Sequence, residues 1–376
     1  MKVITEKTGK LKGVKVLLRL DLNVPIAEGV VTDNFKVEAV ITTINFLKKE
    51  GAKVIIISHI GRDPLNSLFS VYEYLRKFFE VTFIKDIFSN ESTEVISGMQ
   101  AGDIVMFENL RSFSGEKENE SSFTSKLASF GDIYVNDAFA VSHREHGSII
   151  GLPKIMESYF GLLFVKEVNE LKAVSKVSSP KLFVLGGNKL GTKIPFIQKF
   201  LKVADKIFVG GALANDIFKA KGFEVGTSLI SEKSFDLREL LDNKKIILPI
   251  DVVVDSPRGV FVKKSNQVLE DERIVDAGQE TVSMIEDLVD CSKFILWNGP
   301  LGDYPKGFSD GTFGLIRALA SSKGESIVGG GDTEHCISNL GLEENFDFIS
   351  TGGGAMLEFI ATGSLAGIEV IEKSNK

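Results

Sequence analysis

Short runs of Val, Ile and Leu alternate with stretches of helical period along almost the whole chain. Residues 14–20 (VKVLLRL), 53–58 (KVIIIS), 81–84, 104–107 and 133–135 predict strands. Between them, residues 37–50 place Val37, Val40, Ile41, Ile44 and Leu47 on one helical face. Helices are also expected over 67–80 and 123–130. Residues 161–176 carry Phe164, Val168, Leu171 and Val174 at helical spacing, and Ser178, Ser179 and Pro180 end that pattern. The alternation then resumes. Strands are expected at 182–185, 207–209, 294–297, 326–328 and 348–350, with helices at 192–204, before Ala220 and after Gly354. The runs 252–254 and 260–262, split by Asp-Ser-Pro-Arg-Gly, read as a hairpin.

Continuous apolar strands with helices between them imply α/β architecture, with parallel sheets covered on both faces. Ligands in such sheets bind beyond the carboxyl ends of the strands. What sits at those ends differs between the halves. Before residue 161 the runs lead into arginines and histidines; after residue 176 they lead into glycine pairs and triplets. One half therefore suits an anion and the other a nucleotide, with the 161–176 helix between them.

Composition narrows the class. A length of 376 residues suits two domains, and 43% hydrophobic with 25% charged residues describes a globular chain with a sizeable core. A net charge of −7 argues against a nucleic-acid partner. Cys291 and Cys336 are too few for a disulfide framework, which points to a reduced compartment. The first residues lack the apolar core of a signal peptide, and no run is long enough to span a membrane, so the expected location is the cytoplasm.

Only nine of the 44 basic residues are arginines. Arginine grips phosphate or carboxylate with paired hydrogen bonds, so its loop positions carry information. In the first half the candidates are Asp21, Asn23, His59, Arg62, Arg111, His143, Arg144 and His146. Any one arginine is more readily explained by a surface ion pair. Three in the loops of one sheet favour a basin for a phosphorylated carboxylate. The histidines are too sparse for a metal site.

In the second half, Gly186-Gly187-Asn188-Lys189-Leu190-Gly191-Thr192-Lys193 nearly matches a P-loop, but the lysine follows the threonine. The physics survives the mismatch. Glycines let backbone N–H groups approach phosphate oxygens, and the next helix offers its positive end. Gly329–Thr333 forms a second such turn, with Asp332 suited to a Mg²⁺ ion between phosphates, and Gly352–Gly354 a third. None fits the dinucleotide fingerprint, which disfavours a nicotinamide dehydrogenase.

The blocks RLDLNVP (19–25), SHIGR (58–62), ENLR (108–111), VNDAF (135–139), HREH (143–146), LGGNKLGTK (185–193), WNGPLG (297–302), GGGDT (329–333) and STGGGA (350–355) follow the order of the phosphoglycerate kinase family, which this chain resembles almost end to end. The resemblance implies two Rossmann-like domains facing across a cleft. Residues 1–155, with the tail 361–376, would take phosphoglycerate. Residues 177–360 would take the nucleotide, and 156–176 would form a hinge helix. It also implies a monomer that moves a phosphoryl group between ATP or ADP and 3-phosphoglycerate or 1,3-bisphosphoglycerate, with Mg²⁺. Asp21, Asn23, Lys36, His59, Arg62, Arg111 and Arg144 would hold phosphoglycerate. Gly186, Gly187, Lys193, Gly210, Gly211, Asn298, Gly330, Gly331, Asp332 and Thr333 would hold the nucleotide. Lys36, Lys189, Lys193, Gly330 and Gly353 would serve the transfer, and Asp332 the metal.

Two positions depart from the family pattern. Lys36 stands where the family has a bridging arginine, and Pro305 where it has a glutamate for the ribose. Lysine keeps the charge but loses the planar fork. These departures motivate an alternative: a relative that binds its ligands without efficient transfer.

Overall fold

The structure is a computed structural model that describes every residue except Ser175, Lys189, Lys233, Ser234, Asn375 and Lys376; at Leu190 and Thr192 only the backbone is described. The chain divides into two compact units, Met1–Leu171 with the tail from Thr362, and Lys172–Ala361.

The first unit is built on β1 (Lys15–Arg19), β2 (Lys53–Ile57), β3 (Thr82–Ile84), β4 (Ile104–Phe107), β5 (Ile133–Asn136) and β6 (Ser158–Phe160). They form one parallel sheet in the order β3-β4-β2-β1-β5-β6. The central strands are buried along nearly their whole length, as their unbroken apolar runs require. Val16, Leu18, Val54, Ile56, Val135, Ile44 and Leu47 meet in one core.

The second unit repeats the plan. Its strands β7 (Lys181–Leu185), β8 (Lys206–Val209), β9 (Ile246–Ile247), β13 (Phe294–Asn298), β14 (Glu325–Gly329) and β15 (Phe348–Ser350) lie parallel in the order β9-β8-β7-β13-β14-β15. The expected hairpin is Asp251–Ser256 (β10) and Gly259–Lys264 (β11). Its third antiparallel strand, β12 (Arg273–Ala277), completes a small separate sheet.

Several elements differ from their sequence patterns. The 37–50 helix is two pieces, α1 (Phe35–Ala39) and a helix over Ile41–Lys49, because the first breaks off at Val40. The helix expected at 161–176 is shorter, α2 (Leu162–Ala173), and the preceding Ser158–Phe160 is an edge strand rather than helix. That strand is Ser-Tyr-Phe, without the Val/Ile run that marks most of the others, and its pairing with β5 is what makes it a strand.

Candidate functional site

In the first unit, β1, β2, β4 and β5 run parallel, so their carboxyl ends lie along one sheet edge. The residues just beyond them form a polar network. Asp21 is buried, and Lys36 in the first turn of α1 donates its Nζ to Asp21 Oδ2 at 2.7 Å. His59 Nδ1 lies 3.8 Å from Asp21 Oδ1. Burial alone would raise the pKa of Asp21, but the charge and hydrogen bond of Lys36 hold it well below the usual carboxylate range. Asn23 Oδ1 accepts from Gly61 N at 2.7 Å, which ties the loop after β1 to the loop after β2. Gly61 has φ +62° and leaves no room for a Cβ against Asn66, so this loop requires glycine.

Arg111 donates through NH1 to the Gly61 carbonyl, while its buried Nε has no partner among the described residues. Burial lowers its pKa to about 10, and the neighbouring Arg144 and Arg19 push in the same direction. Arg144 is lowered by burial, and Arg19 and Arg62 add to this. These arginines thus feel one another's charge. Burial holds His59 well below its ordinary value, and Arg19 adds to this. Burial, reinforced by Arg144, lowers His143 and His146 to about 4. The histidines are therefore neutral at pH 7, and the basin's excess charge comes from arginine and lysine.

In the second unit the glycine turns meet backbone to backbone. Gly186 N donates to Asn298 O at 2.9 Å and Gly187 N to Pro300 O at 2.8 Å. Lys193 Nζ donates to Gly186 O at 2.7 Å, so it is folded back on the turn it follows. Gly210 ends β8, and Gly211, at φ +59°, lies where a Cβ would come within 2.8 Å of Gly187 N. Asn298 Nδ2 donates to Gly329 O at 2.6 Å, and Thr333 Oγ1 accepts from Gly299 N at 2.9 Å. Gly330 caps α3 (Gly331–Ser338), which carries Asp332 in its first turn. A Cβ on Gly353, at the start of α4 (Gly353–Thr362), would lie 2.7 Å from Gly330 Cα. Lys189 lies outside the described residues.

A cavity of about 320 Å³ opens within this unit beside Gly187, Gly211, Asn215, Asp303, Pro305 and Asp332. Asp303 is already engaged, at 3.4 Å from Arg273 NH1 and 3.5 Å from Lys306 Nζ. Among the described residues no three His, Cys, Asp or Glu converge to cage a metal. Mg²⁺ commonly takes one or two carboxylates plus substrate phosphates, and Asp332 at this cavity fits that donor set.

Sequence reading missed the supports beneath the basin, Glu116 and Ser148, and undervalued Arg19. Glu116 and Ser148 sit outside the quoted blocks, and Arg19 reads as part of a strand.

Comparison with known proteins places the chain among one group. The family profile described as phosphoglycerate kinase matches residues 6–363. A phosphoglycerate kinase of Dictyoglomus turgidum is 37% identical over 387 residues, covering 96% of each chain. One from Pseudothermotoga lettingae is 35% identical over 397 residues and covers 100% of both. Among solved structures, phosphoglycerate kinase from Pyrococcus horikoshii superposes with a TM-score of 0.87 at 29% identity, covering 100% of this chain and 99% of that one. The Coxiella burnetii structure gives 0.78 at 32%, covering 97% and 98%.

Proposed function

This chain belongs to the phosphoglycerate kinase family and is a glycolytic phosphotransferase with a carboxyl acceptor, and on that premise we propose how its residues divide the reaction. Residues 1–155, with the tail 361–376, take 3-phosphoglycerate or 1,3-bisphosphoglycerate. Residues 177–360 take ATP or ADP, and the joint lies within 156–176. The enzyme acts as a monomer in the cytoplasm. A relative that binds without transferring is not favoured, because full-length kinases match across nearly the whole chain.

Asn23, His59, Arg62, Arg111 and Arg144 hold the phosphoglycerate, and Asp21 sets the position of Lys36. The observation that carries this reading is the arginine cluster, in which burial and then the charges of Arg144 and Arg19 lower the pKa of Arg111, and burial and then Arg19 and Arg62 lower that of Arg144. Such a cluster is an anion site short of counter-charge. Gly186, Gly187, Gly210, Gly211 and Asn298 shape the nucleotide cradle, and Gly330, Gly331, Thr333 and Gly353 bring backbone N–H groups to its phosphates. Asp332 holds Mg²⁺, which would neutralise phosphate charge when bound.

The acceptor is already a carboxylate, so no general base is needed. What the protein supplies is position and charge: reacting atoms within about 3–3.5 Å and in line, and cations over the moving group. Lys36, Lys189 and Lys193 provide those cations. A coupled assay with purified protein, ATP, Mg²⁺ and 3-phosphoglycerate tests the reading. Turnover is expected; both ligands binding without turnover would overturn it.

A further inference from the structure

Arg19 is almost completely buried at the end of β1, an expensive place for a cation unless every donor is used. Its Nε donates to Ser148 Oγ at 2.8 Å and its NH1 to the Leu20 carbonyl. Its NH2 lies 3.2 Å from His59 Nδ1. Guanidinium has donors only, so in this contact Nδ1 must be the acceptor. Asp21 Oδ1, at 3.8 Å, is too far to claim a proton on Nδ1. A neutral imidazole whose Nδ1 accepts carries its proton on Nε2, and Nε2 has no hydrogen-bond partner among the described residues.

Arg19 is itself anchored. Ser148 Oγ donates to Glu116 Oε1 at 2.6 Å, so its remaining lone pairs face Arg19, and Ser148 N donates to Glu116 Oε2 at 2.8 Å. Glu116 Oε1 also lies 4.0 Å from Arg19 NH2, and both groups are fully buried. Glu116 is thus a buried counter-charge that fixes the guanidinium through a serine.

We propose that the Glu116–Ser148–Arg19 chain locks His59 in its Nε2–H form, so that His59 meets phosphoglycerate as a neutral hydrogen-bond donor and not as one of the basin's cations. Glu116, Ser148 and Arg19 are positioning residues in this scheme. The cations around His59 are Arg19, Arg111 and Arg144, with Asp21 the opposing anion, and burial together with Arg19 disfavours its second proton. The donor role rests on the reading above that places His59 against phosphoglycerate; the tautomer does not.

Long-range ¹H–¹⁵N spectra of the intact protein test this, because the chain has only four histidines. His335, in the second unit, serves as an internal reference. The wild type is expected to show His59 neutral, with Nδ1 unprotonated, from pH 5.5 to 8.5. An imidazolium at pH 7, or a proton on Nδ1, overturns the proposal. Ser148→Ala removes the acceptor for Arg19 Nε and is expected to give His59 mixed tautomers with His335 unchanged. Glu116→Gln, which keeps an acceptor for Ser148, is expected to move His59 the same way by less, and it serves if Ser148→Ala fails to fold. An unaltered His59 in a folded variant of either kind overturns the positioning role. Adding 3-phosphoglycerate should shift the Nε2–H signal. A locked tautomer with no response to the ligand overturns the donor role and the placing of His59 in that site, while the tautomer stands.

Discussion

Lys36 Nζ lies 2.7 Å from Asp21 Oδ2, and the two form an ion pair at the mouth of the arginine basin. The lysine stands where the family resemblance leads one to expect an arginine, and its partner is a buried carboxylate. Truncating it removes a cation from the site and also leaves Asp21 without its nearest counter-charge. Lys36→Ala is expected to lower kcat by about 10²-fold or more, the scale of losing one preorganised charge-stabilising donor. Lys36→Arg should keep or raise turnover. Steady-state rates decide, and unchanged turnover in the alanine variant removes Lys36 from the mechanism.

Arg111 offers a test confined to one substrate. Its guanidinium holds the Gly61 carbonyl through NH1 and leaves Nε unpartnered among the described residues. A charge-assisted hydrogen bond contributes about 1.5–3 kcal/mol. Arg111→Gln should therefore raise the KM for 3-phosphoglycerate about tenfold or more and leave the KM for ATP nearly unchanged. Equal changes in both would show loss of fold instead of loss of a ligand contact.

Gly353 abuts Gly330 so closely that a methyl group would lie 2.7 Å from Gly330 Cα. Backbone cannot swing aside as a side chain can, so Gly353→Ala must displace one of the two turns. We expect a higher KM for the nucleotide and a lower kcat, with far-ultraviolet circular dichroism retained. Wild-type kinetics in that variant would mean that the junction does not shape the phosphate cradle.

Asp137 gives a pH signature. Its Oδ1 accepts from Phe164 N at 2.9 Å near the start of α2, while Oδ2 is buried without a partner among the described residues. Burial pushes its pKa up to about 6. The unfolded chain loses this proton near pH 4 while the folded chain still holds it, so the group costs stability as pH rises from about 4 to 6. Its largest effect is about 3 kcal/mol, reached above pH 6. Asp137→Asn should flatten that fall. Urea midpoints at pH 4.5 and 7.5 check this, and an equal pH difference in variant and wild type would contradict it.

The alternation of apolar runs fixed the α/β class and placed the loops at strand ends, because a parallel sheet buried on both faces demands continuous apolar strands. The arginine and glycine blocks were legible for a related reason: those loops must supply cations or close backbone approach, and few residue types can. The strand Ser158–Phe160 was not legible, since its Ser-Tyr-Phe lacks a Val/Ile run and it becomes a strand by pairing with Tyr134–Asn136; nor was the break at Val40.

From the sequence alone came the family, the two-part plan and the residue types gathered at the strand ends. Tertiary structure alone decided their states. Arg19 met His59, Glu116 and Ser148 only because strands far apart in sequence lie side by side in the sheet. Burial then set which groups keep their charge, and a one-dimensional pattern carries neither burial nor distance.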